Sequence, residues 1–332
     1  MSMPSFQRLG TIQPSEELRR NAGMPLDLDW VNQVQANRSA IENRASTLTA
    51  RRTIKQQWQA AWLLRAICCI DLTTLAGDDS PSRIRRLCAQ ARHPVRDDLL
   101  AAMDVRDLGI RTAAVCVYPT MVPHAFQALE GSGIPVASVA AAFPAGLSPL
   151  KLRLEEIAYA VEAGAAEIDA VITREHVLTA SWERLYDEVV SLRDACGGAC
   201  FKVILAAGEL STLRNVQRAS LVAMMAGADF IKTSTGKEAV NATLETGLTM
   251  VRAIREYRER TGYRVGFKAA GGIRHAKEAL QWLILLREEL EREWLEPELF
   301  RIGASSLLND IERQLEEYVA GRYSAGYRQP AA

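Results

Sequence analysis

Two lysines stand at the ends of short apolar runs, where a charged amine is unusual. Lys232 follows Phe-Ile and Lys268 follows Val-Gly-Phe, and small residues come after each of them. A second ammonium nearby makes a buried ammonium easier to deprotonate. At about 6 Å and an effective dielectric constant of about 20, two such charges repel by roughly 3 kcal/mol, or about two pKa units. We therefore expect a lysine that is a neutral amine near pH 7 and can form a Schiff base with a carbonyl.

The lysines belong to a series of short apolar segments that alternate with helical ones. Most of the short segments are continuous in Val, Ile, Phe and Cys, which is typical of strands buried on both faces of a parallel sheet. We predict strands at 66–72, 113–118, 136–141, 167–172, 201–205, 230–233, 265–268 and 300–302. We predict helices at 150–163, 178–195, 212–226, 246–260, 276–293 and 307–319. Eight such units without a linker favour a single α/β domain, a (β/α)8 TIM barrel, over an open sheet.

The chain divides into three predicted regions. Residues 1–55 form an N-terminal extension with a basic, helix-like stretch near 38–52, residues 56–325 form the barrel, and residues 326–332 form a tail. A helical pattern at 57–67 carries Trp58 and Trp62, which we expect to pack in the core, with self-association as the alternative.

Composition excludes several classes of partner. Lys plus Arg number 40, as do Asp plus Glu, so the formal net charge is zero and no general nucleic-acid-binding surface is expected. No segment is long and apolar enough to span a membrane, and the N-terminus lacks a signal-peptide pattern, so we expect a cytoplasmic protein without membrane partners. The six cysteines show no C-x-x-C spacing and there are only four histidines, so we expect reduced thiols and no zinc site.

In a barrel the reacting groups belong at the carboxyl ends of the strands. The predicted strands carry polar residues there, and we expect substrate or reacting groups among Asp71, Thr73, Cys116, Tyr118, Asp169, Lys202, Lys232 and Lys268. Neighbouring strands lie about 4.8 Å apart, so Lys232 and Lys268 approach each other if both point inward. Asp169 would then pair with an ammonium and pass protons. The alternative is an ion network that only fills the barrel.

The loops predict a phosphorylated substrate. Glycine- and serine-rich turns at 270–274 and 303–306 each precede a helix, and barrels commonly bind phosphate with these two loops and a helix N-terminus. The run Ser-Thr-Gly-Lys at 234–237 resembles part of a P-loop, but that motif needs Gly and Ser or Thr where this chain has Ile231 and Glu238. Gly236 and Lys237 are instead expected to add a third edge to the phosphate or sugar pocket.

Six motifs together carry a resemblance to a known family. They are Ile-Asp-Leu-Thr-Thr-Leu (70–75), Ala-Val-Cys-Val-Tyr-Pro (114–119), Glu-Ile-Asp-Ala-Val-Ile (167–172), Phe-Ile-Lys-Thr-Ser-Thr-Gly-Lys (230–237), Gly-Phe-Lys-Ala-Ala-Gly-Gly-Ile-Arg (266–274) and Arg-Ile-Gly-Ala-Ser-Ser (301–306). In this order, over about residues 50–323, the chain resembles deoxyribose-phosphate aldolase, above all its animal-type members with an N-terminal extension. The resemblance implies a class I lyase, without metal or cofactor, that reversibly cleaves 2-deoxy-D-ribose 5-phosphate to D-glyceraldehyde 3-phosphate and acetaldehyde in deoxyribonucleotide breakdown.

The resemblance also implies roles for individual residues. Lys232 would form the Schiff base, Lys268 would lower its pKa, and Asp169 would relay protons through a water. The phosphate would be surrounded by Gly236, Gly271, Gly272, Gly303, Ser305 and Ser306, with Lys237 reaching the sugar or phosphate. Asp71 and Thr235 would meet sugar hydroxyls, and Cys116 would line the pocket within reach of reactive aldehydes.

The chain departs from the family pattern at a few positions. Ala207 and Ala269 stand where the family usually has Thr and Pro, and losing the proline loosens the loop that presents Lys268. Whether Tyr323 or Tyr327 enters the site stays open, as does the choice between dimer and tetramer. Two alternatives also remain: another Schiff-base sugar-phosphate aldolase or transaldolase, and a phosphate-binding barrel without activity.

Overall fold

Eight parallel strands close into a barrel in the order in which they occur along the chain. The structure, a computed structural model, describes residues 20–51, 54, 56–322 and 324. The strands are β1 Ile70–Thr73, β2 Ala114–Val117, β3 Val136–Ala140, β4 Glu167–Val171, β5 Cys200–Ile204, β6 Phe230–Lys232, β7 Gly266–Ala270 and β8 Phe300–Ala304. Each strand pairs in parallel with the next, and β1 pairs with β8. The predicted (β/α)8 barrel is confirmed.

Helices surround the barrel and connect its strands. They are α1 Leu28–Gln33, α2 Arg38–Arg51, α3 Gln56–Cys68, α4 Pro81–Arg92, α5 Asp97–Ala102, α6 Val122–Ala128, α7 Leu150–Glu162, α8 Arg174–Leu178, α9 Trp182–Cys196, α10 Leu213–Met225, α11 Leu244–Thr261, α12 Ala276–Glu289 and α13 Leu307–Ala320. The sequence pattern did not predict α4 and α6. Helix α6 has only seven residues, too few to show a period, whereas the buried residues Ile84, Cys88 and Ala91 of α4 do follow the i, i+4, i+7 spacing of a helix, so α4 was missed although its pattern was present. None of the described helices is long and apolar enough to cross a membrane.

The first strand begins later than its predicted start at residue 66. Helix α3 continues to Cys68, and β1 begins at Ile70. An apolar run of this length fits a buried helix end as well as a strand, so its composition alone did not separate the two. The expectation of core packing for the two tryptophans of this segment is wrong for Trp58, which is 62% exposed, whereas Trp62 is partly buried and packs against the core.

The described part of the N-terminal extension lies against the outer helices. The Asn21 side chain donates to the carbonyls of Met224 at 2.7 Å and Ala228 at 2.9 Å, and it accepts a hydrogen bond from Tyr257. Helix α2 packs against α11 and α12, where Arg44 pairs with a glutamate of α12. Residues 1–19, Tyr323 and Tyr327 lie outside the described residues, so the question about the two tyrosines stays open.

The barrel interior has an apolar half and a charged half. Small and apolar side chains of β2–β5 form one cluster: Ala114, Cys116, Ala137, Val139, Val171 and Ile204, with Phe143. Charged side chains from β1 and β4–β8 fill the rest. Inward and outward positions alternate along each strand, so residues two apart, such as Glu167 and Asp169, share the interior face.

Candidate active site

Seven charged side chains meet inside the barrel, and we refer to them as the charged cluster. They are Asp71, Glu167, Asp169, Lys202, Lys232, Lys268 and Arg301. Each of these residues is buried, Arg301 being the most exposed at 7%. Buried charges are retained in a fold only when they are paired, and every member of this cluster has an oppositely charged partner.

Asp169 lies at the centre of the cluster. Its Oδ2 accepts hydrogen bonds from Nζ of Lys232 at 2.8 Å and Nζ of Lys268 at 2.6 Å, and its Oδ1 accepts one from Lys202 at 2.9 Å. Lys232 and Lys268 are directly opposite each other in the pairing of β6 with β7. The structure therefore brings the two predicted lysines and the predicted carboxylate together on one oxygen atom.

Glu167 and Arg301 also support this centre, although neither was predicted from the sequence to have a role. Arg301 donates to Asp71 at 2.7 Å and to Glu167 at 2.8 Å, and Lys202 donates to Glu167 at 2.5 Å. Asp71 also accepts a hydrogen bond from Lys268. A signal was available, since Glu167 and Arg301 are charged residues inside predicted apolar strands, and Glu167 shares the strand face of Asp169.

Burial and neighbouring charges separate Lys232 from the other cations of the cluster. Burial lowers the pKa of Lys232 from its usual 10.5, Asp169 opposes this, and Lys268 adds to the lowering. Burial also disfavours the charge on Lys202, Lys268 and Arg301, but their carboxylate partners outweigh it and raise the pKa of each. Lys232 is thus the cluster cation that loses its proton most easily.

The carboxylates of the cluster remain ionised. Burial raises the pKa of a carboxyl group, but here the surrounding cations outweigh burial and hold the pKa values of Asp71, Glu167 and Asp169 below their usual range. The cluster has four cationic and three anionic side chains. Deprotonation of Lys232 leaves three of each and a net charge of zero, so the surroundings favour a neutral amine at this position.

A cavity of about 350 Å³ opens at the carboxyl ends of β1 and β6–β8, with Lys232 and Lys268 among its lining residues. Most of the residues predicted to bind substrate line it: Thr73, Thr235, Gly236, Lys237, Gly271, Gly272, Gly303, Ser305 and Ser306. A single space therefore connects the reacting lysines with the glycine- and serine-rich loops. Such a space suits a small molecule that has a carbonyl at one end and an anion at the other.

The remaining predicted site residues lie beside or below the cavity. Asp71, Asp169 and Lys202 are fully buried in the charged cluster. Cys116 lies in the apolar half with Phe143, whose ring centroid is 6.0 Å from Nζ of Lys232, and burial raises the pKa of the Cys116 thiol. Of the two departures noted in the sequence, Ala269 lies within β7, and Ala207 begins a 3₁₀ turn after β5.

The amino ends of the two helices beside the cavity differ in how their N–H groups are used. Before α12, the Glu278 carboxylate accepts hydrogen bonds from the backbone N–H groups of Arg274 at 2.7 Å and His275 at 2.9 Å. Before α13, Ser306 makes no side-chain capping hydrogen bond. The N-terminus of α13, with its partial positive charge, is therefore the better place for a phosphate.

The chain is similar to known aldolases over most of its length. Residues 65–311 match the family described as DeoC/LacD family aldolase. The chain is 60% identical over 312 residues to deoxyribose-phosphate aldolase of Homo sapiens, covering 93% of this chain and 98% of that protein. Over 310 residues it is 60% identical to the enzyme of the same name from Mus musculus, covering 93% and 98%.

Solved structures share the fold at lower identity. A putative deoxyribose-phosphate aldolase from Toxoplasma gondii superposes with a TM-score of 0.66 at 23% identity, covering 81% of this chain and 98% of that one. An enzyme from Aeropyrum pernix, described as having a unique tetrameric structure, gives a TM-score of 0.58 at 23% identity, covering 87% and 100%.

Proposed function

The chain belongs to the DeoC/LacD family of aldolases and cleaves 2-deoxy-D-ribose 5-phosphate, and we propose that it does so through a Schiff base on Lys232. The products are D-glyceraldehyde 3-phosphate and acetaldehyde, and the reaction is reversible. The observation that supports the mechanism is the position of Lys232: it is buried, lines the cavity, and has a lowered pKa among partners whose charges are fixed.

Bond formation begins with the neutral amine of Lys232. Its lone pair attacks C1 of the open-chain sugar to give a carbinolamine, which loses its hydroxyl as water and leaves a protonated imine. Asp169 is hydrogen-bonded to both lysines, so it can accept a proton from the attacking nitrogen, and the Lys268 ammonium can supply one to the departing hydroxyl. The cationic imine then occupies the position of the Lys232 ammonium beside the Asp169 carboxylate.

Carbon–carbon cleavage uses the imine as an electron sink. A base removes the proton of the C3 hydroxyl, the C2–C3 bond breaks, and its electron pair forms an enamine between C2 and C1. D-Glyceraldehyde 3-phosphate leaves with the former C3 as its aldehyde carbon. The enamine is protonated at C2, and hydrolysis of the resulting imine releases acetaldehyde and restores Lys232. We propose that Asp169 and Lys268 carry these protons, since Asp169 forms an ion pair with Lys232 and Lys268 donates to the same Asp169 oxygen.

The outer part of the cavity fits the phosphate. Gly271, Gly272, Gly303 and the open amino end of α13 at Ser305 and Ser306 offer N–H and hydroxyl donors. We propose that they bind the 5-phosphate and so place C1 of the sugar near Lys232. Binding energy from a remote phosphate of this kind positions the reacting carbon.

Trapping of the Schiff base tests this proposal directly. The protein is incubated with acetaldehyde and sodium borohydride, and the modified peptide is identified by mass spectrometry. We expect an ethyl group on Lys232, absent in Lys232→Ala and formed at an unchanged rate in Lys237→Ala, because Lys237 lies outside the cluster. No adduct on Lys232 in a folded sample would overturn the Schiff-base mechanism at this residue. A panel of sugar phosphates separates this activity from other Schiff-base aldolases.

Self-association and location are further proposals. Large apolar side chains on α6 and α7 are exposed, with Phe126 at 58%, Leu152 at 54% and Tyr159 at 48%, which supports a homo-oligomer. Light scattering on the purified protein distinguishes a dimer from a tetramer.

A cytoplasmic location stays a prediction that imaging of the tagged protein tests.

A further inference from the structure

The turn after β6 is filled by a carboxylate of the chain itself. The backbone N–H of Thr235 lies 3.0 and 3.1 Å from the two carboxylate oxygens of Glu238, and the N–H of Gly236 lies 3.1 Å from one of them. Glu238 is buried, and Gly236 has a φ of +87°, a left-handed conformation that glycine adopts without strain. Successive N–H groups that converge in this way form a concave anion-binding turn.

The third N–H group of the turn is also used within the chain. The backbone N–H of Lys237 donates to Oγ1 of Thr235 at 3.1 Å. None of the N–H groups of residues 235–237 is therefore free for a phosphate. What the turn offers to the cavity is the Lys237 ammonium, which now donates to the carbonyl of Leu75 at 3.1 Å in the loop after β1.

Asn241 connects the turn at residues 235–238 with the glycine loop after β7. The Asn241 side chain donates to the carbonyl of Glu238 at 2.9 Å. Gly271 packs closely on the same asparagine, because a Cβ at Gly271 would come within 2.6 Å of its Oδ1. Glu238 thus connects the turn that carries Lys237 to the glycine loop after β7.

From this geometry we propose that Glu238 is a positioning residue, which occupies the anion-binding turn and holds Lys237 so that its ammonium meets the phosphate of the substrate. The proposal rests on the function proposed above. It changes the role of Gly236, since the β6 loop would bind phosphate through the Lys237 side chain and not through backbone N–H groups. In the sequence alone, Glu238 is only the residue that breaks a P-loop motif.

Steady-state kinetics of three variants test the proposal. Glu238→Val removes the carboxylate, Glu238→Gln keeps one acceptor oxygen without the charge, and Lys237→Met removes the ammonium. We expect Glu238→Val to raise KM for 2-deoxy-D-ribose 5-phosphate about tenfold with kcat within about twofold, and Glu238→Gln to raise KM about two- to threefold. Neither variant should change kcat/KM for unphosphorylated 2-deoxy-D-ribose. Because Glu238 acts through Lys237, KM for the phosphorylated sugar should be no higher in the double variant Lys237→Met/Glu238→Val than in Lys237→Met alone.

Other outcomes overturn the proposal in distinct ways. A lower KM in Glu238→Val would mean that the released N–H groups bind phosphate and that Glu238 competes with it. If Glu238→Val raised KM by the same factor in the wild-type and Lys237→Met backgrounds, Glu238 would only maintain the loop. The same would follow if Glu238→Val lowered kcat/KM equally for the phosphorylated and the unphosphorylated sugar. Glu245→Gln, an acidic residue in the first turn of α11, is the matched control. Acetaldehyde carries no phosphate, so borohydride trapping tests the Schiff base alone. If the Glu238 and Lys237 variants all form the adduct on Lys232 while their KM values contradict the expectation, only the role of Glu238 is overturned and the Schiff-base mechanism stands.

Discussion

The two ends of the cavity are built in different ways. The charged cluster consists of long side chains on strands, all buried and all paired. The phosphate end consists of backbone and short side chains on the loops after β6, β7 and β8, where Gly236, Gly272 and Ser305 are exposed. A lowered lysine pKa is favoured by removal from water, which strands inside a barrel provide. Reversible binding of an anion needs donors that face solvent, which loops provide.

This contrast predicts different sensitivities to mutation. In the charged cluster each side chain is both a reacting or supporting group and a partner of other charges, so its removal changes the chemistry. At the phosphate end many donors share one ligand, and their directions are set by backbone conformation. Loss of one side chain there should weaken binding slightly, whereas a changed glycine should distort several donors together.

The largest expected effect is that of Lys232→Ala. Removal of the nucleophile should lower kcat by on the order of 10⁵-fold or more, as loss of a covalent nucleophile does in other enzymes. Stability should change little, since Asp169 keeps Lys202 and Lys268 as partners, the six remaining charges of the cluster balance, and the shortened side chain enlarges a cavity that is already open. Activity assays and thermal unfolding of the same sample check both parts. Substantial residual activity would mean that the nucleophile lies elsewhere. The charged cluster would then not be the reacting end of the cavity.

The next effect is that of Lys268→Leu, which tests whether charge sets the reactivity of Lys232. Lys268 lowers the pKa of Lys232, so its removal raises that pKa and reduces the neutral amine present at a given pH. The acid limb of kcat/KM against pH should move to higher pH, and activity near neutrality should fall by about 10²- to 10³-fold. The control Lys268→Arg keeps the positive charge and should leave the acid limb near its original position. An identical shift in both variants would mean that the length of the lysine matters and not its charge.

These residues also show what the sequence could predict. Lys232, Lys268 and Asp169 were found because charged residues are unusual inside apolar strands and because eight such strands implied a barrel. Arg301 was not assigned a role, because its partners Glu167 and Asp71 lie on β4 and β1 and only closure of the barrel brings them together. The cause of the lowered pKa of Lys232 was also predicted incompletely. Repulsion by Lys268 contributes, but burial is the larger cause, and the extent of burial depends on packing.

The phosphate end was less predictable than the cluster. Gly236 was expected to surround the phosphate, but the direction of its N–H depends on the Glu238 side chain, which the motif does not reveal. The filled amino end of α12 does have a signal in the sequence, because Glu278 stands three residues after the N-cap His275, where a carboxylate reaches back to the N–H groups before the helix, whereas α13 has Asn309 at the corresponding position.

A matched pair of glycines tests the role of backbone conformation at the phosphate end. Gly271 and Gly272 have φ values of +85° and +83°, so alanine at either position costs about 1–2 kcal/mol of backbone strain. Gly271→Ala should lower the free energy of unfolding by about 1–3 kcal/mol more than Gly272→Ala, because its Cβ overlaps Asn241. Nothing lies within 4 Å of a Cβ at Gly272. We expect urea unfolding to show this order, and KM to rise about tenfold or more for Gly271→Ala. Equal losses of stability in the two variants would mean that Asn241 moves away from the new Cβ without a cost in free energy.

The smallest expected effect is that of Ser305→Ala, and it separates the two ends most clearly. If backbone N–H groups and the amino end of α13 bind most of the phosphate, loss of one hydroxyl removes a single hydrogen bond worth about 1 kcal/mol. KM for the phosphorylated sugar should then rise about fivefold, with kcat unchanged and no effect on unphosphorylated 2-deoxy-D-ribose. A loss of a hundredfold or more would show that the serine hydroxyl is a principal ligand. The phosphate end would then depend on single side chains as the charged cluster does, and the contrast between backbone recognition and side-chain chemistry would fail.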